Sequence, residues 1–158
     1  VSNVTRMDSM FFNKKKYPYI GTGDFNQPIG NWDVSNVTTM SFMFHGTKFN
    51  QEINNWNTDK LIDISGMFSY QSTFNKPLDN WKTLQLKKIS YLFQNNTTFN
   101  QDISSWKFKI NIHGDPDLNC FYYDRLATSW EEKNKIFGRV DGECVNQTNN
   151  IRCPDCDG

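Results

Sequence analysis

Trp32, Trp56, Trp81 and Trp106, four of the five tryptophans, fall 24, 25 and 25 residues apart. A Phe-Asn pair keeps the same beat at Phe25-Asn26, Phe49-Asn50, Phe74-Asn75 and Phe99-Asn100. An aliphatic residue stands three places before each tryptophan, at Ile29, Ile53, Leu78 and Ile103. Earlier in the unit, Val37, Met40, Met43 and Phe44 recur as Leu61, Ile64, Met67 and Phe68, then as Leu86, Ile89, Leu92 and Phe93. The first unit supplies Val4, Met7, Met10 and Phe11. One unit of about 25 residues cannot bury its apolar face alone, so neighbours must complete the core. Equivalent residues then lie about 4.8 Å apart and form ladders, with the tryptophans in one column and the Phe-Asn phenylalanines in another. The asparagines beside them are placed to form a third column, bonding through their amides to turn backbone. The expectation is an α/β solenoid of about four repeats, with units 1–33, 34–59, 60–85 and 86–110, and a C-terminal cap over 111–158.

Each unit divides in two. Val37, Met40 and Phe44 follow i, i+3, i+7, which predicts a short helical turn ended by Gly46. Phe49 to Ile53 is brief and bounded by Asn-rich turns, which predicts a short strand with parallel neighbours.

The strings VSNVTTMSFMF, FNQPIGNWDVSNVTTM and FNQEINNW resemble the repeat of BspA-like leucine-rich-repeat surface proteins over roughly residues 1–110. The resemblance implies a leucine-rich-repeat-like, right-handed coil with short parallel strands, displayed on a surface, commonly for adhesion. It brings no catalytic residue. The third and fourth units lack the Val-Thr of that repeat, and the segment after residue 110 does not match it.

The beat breaks in the first unit. Phe11 and Phe25 are 14 residues apart, where Phe44 and Phe49 are 5 apart. About nine extra residues therefore lie between Phe12 and Asp24, including Lys14, Lys15, Lys16, Tyr17, Pro18 and Tyr19. Insertions in repeats map to loops on one face, often the binding face. Lys14, Lys15, Lys16, Tyr17 and Tyr19 are thus candidate contacts for a glycan or an acidic partner, the plainer alternative being a solvated cover over the end of the repeats.

After Trp106 the beat fails. Phe108, Ile110 and Ile112 alternate like a last strand, and Ser129-Trp130-Glu131-Glu132 reads as a capping box. Trp130 with Phe137 then predicts a short amphipathic helix stopped by Gly138. All four cysteines, Cys120, Cys144, Cys153 and Cys156, lie in this part. They allow three disulfide pairings or one zinc site. Only Cys153 and Cys156 have C-x-x-C spacing, so a disulfide-stapled cap of undetermined pairing is expected ahead of zinc. N-x-[ST] sequons make Asn95, Asn96 and Asn146 the glycosylation candidates on a secretory route.

Other chemistry is absent from the sequence. Lys+Arg and Asp+Glu each total 17, so no basic footprint for nucleic acid exists. No run suits membrane insertion. Asp115, Asp117 and Asn119 begin a calcium-loop pattern, but Cys120 and Leu126 stand where its Gly and Glu belong. His45 and His113 lack partners at motif spacing, and no nucleophile elbow, zincin helix or phosphate loop occurs. No cofactor and no resident metal are expected. Val1 already stands inside a repeat, so the chain is expected to be a fragment or a processed product.

The expected function is non-enzymatic: an extracellular, cell-surface or virion-associated recognition or adhesion module that binds a carbohydrate or protein partner. The alternative is a structural or cementing subunit of a capsid or surface layer. A metal-dependent enzyme using the cysteines is the weakest reading.

Overall fold

The computed structural model describes residues 3–13, 23–103 and 105–108, and the backbone of three strands between residues 137 and 153. Among the described residues up to 108 there is neither helix nor strand. Turns alternate with four isolated parallel bridges, Arg6↔Thr39, Thr39↔Asp63, Asp63↔Lys88 and Gly23↔Thr47. The expected α/β, leucine-rich-repeat-like right-handed solenoid with a helical turn and a parallel strand per unit is corrected by this finding.

The reason lies in the backbone of the segment read as helical. Phe42 and Gly46 have φ of 55° and 67°, and the equivalent residues repeat the conformation: Ser9, Gly66 and Tyr91 for the first place, Tyr70 and Asn95 for the second. A left-handed residue four places from another cannot belong to an α-helix. It closes a tight turn instead, since a turn with positive φ at its third residue joins residues i and i+3. Met43 N–H thus donates to Met40 O at 3.1 Å and Thr47 N–H to Phe44 O at 3.1 Å. The alternate N–H groups leave the unit. Those of Met40, Phe42, Phe44 and Gly46 donate to Asp63, Ser65, Met67 and Ser69 O at 2.8–3.1 Å. Ile64, Gly66, Phe68 and Tyr70 repeat the pattern onto Lys88, Ser90, Leu92 and Gln94 at 2.7–3.0 Å. From Phe42 to Thr47 the donors alternate between closing their own turn and reaching the next unit, so the apolar i, i+3, i+7 spacing is the signature of stacked turns.

The segment read as a strand is also different. The Asn50 N–H donates to the Asn26 side-chain Oδ1 at 2.9 Å, that of Asn75 to Asn50 Oδ1 at 3.0 Å, and that of Asn100 to Asn75 Oδ1 at 2.8 Å. An amide side chain stands in for the carbonyl that a sheet would supply, so units pair here without a β-ladder.

Between these two edges lies the core. Phe44, Phe68 and Phe93 form one column with ring centroids 5.9 and 5.6 Å apart, and Phe49, Phe74 and Phe99 a second at 6.1 and 5.9 Å. Within a unit the two columns touch face to face, as at Phe44–Phe49 with 3.9 Å and 2° between ring planes. All six rings are fully buried. Trp56, Trp81 and Trp106 form a third column at 6.4 and 6.3 Å, each 3% exposed. Each indole N–H donates to the aliphatic residue of the unit before: Trp56 to Ile29 O, Trp81 to Ile53 O, Trp106 to Leu78 O, at 3.2, 3.1 and 2.8 Å. A buried indole needs an acceptor, and the backbone carbonyl three places before the preceding tryptophan supplies it. Trp32 departs from expectation: it is half-buried and meets Phe11 at 6.2 Å.

Near the C-terminus, β1 (Phe137–Val140), β2 (Glu143–Asn146) and β3 (Ile151–Cys153) form an antiparallel sheet in the order β1-β2-β3. Phe137 and Gly138 pair with Asn146 and Val145, so the helix expected to end at Gly138 is corrected there.

Candidate functional site

The break in the first unit is built into the hydrogen bonding. Asn13 N–H donates to His45 O at 3.1 Å, as Gly46 N–H donates to Ser69 O in the next unit at 3.0 Å. Gly23 bridges Thr47, its N–H donating to Gly46 O at 3.0 Å, and Lys48 N–H donates to Gly23 O at 2.8 Å. Asn13 and Gly23 thus occupy the places of Gly46 and Thr47, which are adjacent in sequence. The two stem residues also touch, because a Cβ on Gly23 would stand 3.0 Å from Asn13 Cβ. Asn13 Nδ2 donates to the same Gly46 O at 3.3 Å. Asn13 and Gly23, which flank residues 14–22, therefore stand side by side in the places of two adjacent residues. Lys14, Lys15, Lys16, Tyr17 and Tyr19 lie outside the described residues.

Aromatic rings surround that stem. Phe12, next to Asn13, stacks on His45 at 4.6 Å and 18°, and meets Phe42 edge-on at 6.4 Å and 81°. His45 also meets Phe42 at 5.8 Å and Tyr70 at 5.2 Å. All four rings are half-buried. In the sequence His45 lacks a partner at motif spacing. The signal that could have placed it is its position in the beat, immediately after Phe44 and level with Phe12.

The state of His45 follows from its neighbour. Ser69 Oγ donates its one proton to Gly66 O at 2.7 Å, so at 2.7 Å from His45 Nδ1 it accepts from the Nδ1–H. Burial holds the His45 pKa below its ordinary 6.5, because desolvation disfavours the imidazolium. A neutral, Nδ1-protonated ring stacked on phenylalanine is the result. A serine beside a histidine also invites a nucleophilic reading, which the geometry opposes. Ser69 is 1% exposed, its proton is committed to a carbonyl, and it lies at Nδ1.

A second feature is the surface row of amides. Besides the bonds from Asn50, Asn75 and Asn100, Asn26 Oδ1 accepts from Gln51 Nε2 at 3.0 Å and Asn75 Oδ1 from Gln101 Nε2 at 3.0 Å. In the third unit Lys76 takes the glutamine's place and pairs with Glu52 at 3.0 Å. Elsewhere on the surface, Asp8 ties the first unit to the second. Burial raises its pKa, but Thr39 Oγ1, Ser41 Oγ at 2.7 Å, Arg6 Nε at 2.9 Å and Ser41 N–H at 3.2 Å outweigh that, and the carboxyl ends below its ordinary 3.8.

Of the glycosylation candidates, Asn96 is corrected. It is fully buried, its Nδ2 donates to Phe68 O at 3.4 Å, and its Oδ1 accepts from Phe99 N–H at 3.0 Å, so no sugar fits on the folded chain. Asn95 is half-buried with φ 55°, and Asn146 ends β2. Cys144 lies on β2 and Cys153 on β3, while Cys120 and Cys156 fall outside the described residues. Among the described residues no group of three or more His, Cys, Asp or Glu side chains is placed to hold a metal, and no helix is long and apolar enough to cross a membrane.

No curated protein and no solved structure matches the chain. A family model matches residues 1–45 and 19–114, the repeats from end to end, and its description gives no activity. The match spans more than half of the chain, and the chain belongs to the family described as Mycoplasma protein of unknown function, DUF285.

Proposed function

We propose that the chain is a non-enzymatic recognition module of an extracellular, cell or virion surface, and that it binds a carbohydrate or protein partner on the flank carrying the insert of the first unit. The observation that carries this reading is the closed stem. Asn13 and Gly23 meet at Gly46 O in the places of two adjacent residues, so the nine residues between them are additional to the repeat. An insert with three lysines and two tyrosines, additional to the repeat, is suited to contact with a partner. Phe12, next to Asn13, lies with His45, Phe42 and Tyr70 in a set of half-buried rings that offer stacking surface to a sugar or to an aromatic or cationic side chain. The likeness of the repeat to BspA-like surface proteins supports the same reading and belongs to the proposal.

The test removes residues 14–22 and joins Asn13 to Gly23, as Gly46 is joined to Thr47. The expected result is an unfolding transition close to the parent's and a loss of at least tenfold in attachment to the native cell, particle or glycan. Unchanged attachment with unchanged stability would refute the role of the insert and favour a cementing subunit. Unfolding of the shortened chain would make the segment a cover for the core.

A further inference from the structure

The four cysteines were expected to form disulfides of undetermined pairing, and the sheet register bears on the choice. β2 and β3 pair antiparallel with Cys144↔Cys153, Val145↔Arg152 and Asn146↔Ile151 as partners. Residues directly opposite in an antiparallel ladder lie on the same face, with Cα atoms about 4.5–5.5 Å apart. A disulfide joins Cα atoms about 4.4–6.8 Å apart. Two cysteines at one register position therefore meet the distance requirement without backbone movement. A shift of one residue would send them to opposite faces. The pair also stands where a covalent tie has most to do, because β3 has three residues and occupies an edge of the sheet. Such a strand gains little from its own few hydrogen bonds.

We propose that Cys144 and Cys153 form a cross-strand disulfide that fixes the register of β2 and β3. The two thiols give up two protons and two electrons to an oxidised dithiol oxidoreductase. Its disulfide is reduced to two thiols, and the S–S bond of the hairpin forms in its place. The bond requires an oxidising compartment and is independent of what the repeats bind. It leaves Cys120 and Cys156 to each other or free.

Peptide mapping tests it, with the whole chain produced in an oxidising compartment, its free thiols blocked, and trypsin digestion without reductant. Cleavage after Arg139 and Arg152 puts Cys144 in fragment 140–152 and Cys153 in the fragment that begins there. The expected product is these two fragments joined and released by reductant, still joined in a Cys156→Ser chain and separate in a Cys153→Ser chain. Four outcomes would overturn the pairing: a link from Cys144 to Cys120, a link lost in Cys156→Ser, four blocked thiols, or zinc that only a chelator removes. Fragment 153–158 holds both Cys153 and Cys156, so the parent's map shows whether Cys144 is bonded to this fragment and the two variants show to which cysteine.

Discussion

Gly66 offers the sharpest test of how one unit rests on the next. Its φ is +61°, and a Cβ placed there would collide with Cε1 and Cδ1 of Phe42, the equivalent residue one unit earlier. Gly66→Ala therefore carries two separable costs. The left-handed backbone costs about 1–2 kcal/mol for any L-residue with a side chain. Overpacking against a ring adds about 1–3 kcal/mol. The ring does not move aside freely, because Phe12 at 6.4 Å and His45 at 5.8 Å hold it edge-on. The sum in the parent is about 2–5 kcal/mol. In a Phe42→Ala background only the backbone part, about 1–2 kcal/mol, remains. Urea unfolding followed by tryptophan fluorescence on the four chains of the cycle yields the coupling, expected at about 1–3 kcal/mol. Equal costs of Gly66→Ala in both backgrounds would refute the contact between units. A neutral Gly66→Ala would refute the turn conformation as well.

Trp81→Ala should cost about 3–5 kcal/mol in the same assay, since the indole is 3% exposed between Trp56 and Trp106 and its loss leaves Ile53 O without its donor; a loss below about 1 kcal/mol would exclude a buried column. Two of the described groups contribute a pH dependence to stability that substitution can test. The His45 pKa is lower in the folded chain, so the unfolded chain takes up the proton first and stability declines as pH falls below 6.5, a slope that His45→Phe should remove. The Asp8 pKa is also lower in the folded chain, so its contribution is present above 3.8 and is lost as pH falls through the folded value, a dependence that Asp8→Asn should flatten.

The beat made the buried positions legible. The Phe-Asn phenylalanines Phe49, Phe74 and Phe99, the aliphatic residue before each tryptophan and the Met-Phe pairs of the inner units all lie in the core, with Phe25 partly buried against it. What the beat could not convey was the backbone beneath them. Val37, Met40 and Phe44 have helical spacing because turns closed at Met43, His45 and Thr47 return side chains to one side at similar intervals. The left-handed residues that separate the two cases are Phe42, Tyr70 and Tyr91 as well as Gly46 and Gly66, so glycine alone did not mark them. Phe49 to Ile53 failed as a strand for a related reason: the asparagine was legible as a ladder residue, but its replacement of a backbone acceptor was not. The closed stem at Asn13 and Gly23 follows the arithmetic of the nine extra residues, whereas the aromatic flank needed His45 and Tyr70 to be placed on adjacent units. Asn96 shows the limit of a motif, since its sequon is intact while its amide is buried.

The central claim is that successive units of 24 or 25 residues lie directly against one another, tied by tryptophan N–H bonds to the unit before. Nuclear magnetic resonance of chain labelled at tryptophan measures this directly. Slow hydrogen exchange of the Trp56, Trp81 and Trp106 indole N–H groups, with ring-to-ring cross-peaks from Trp56 to Trp81 and from Trp81 to Trp106, is the predicted result. Indole protons exchanging at the rate of free tryptophan, with no cross-peaks between the rings, would contradict it.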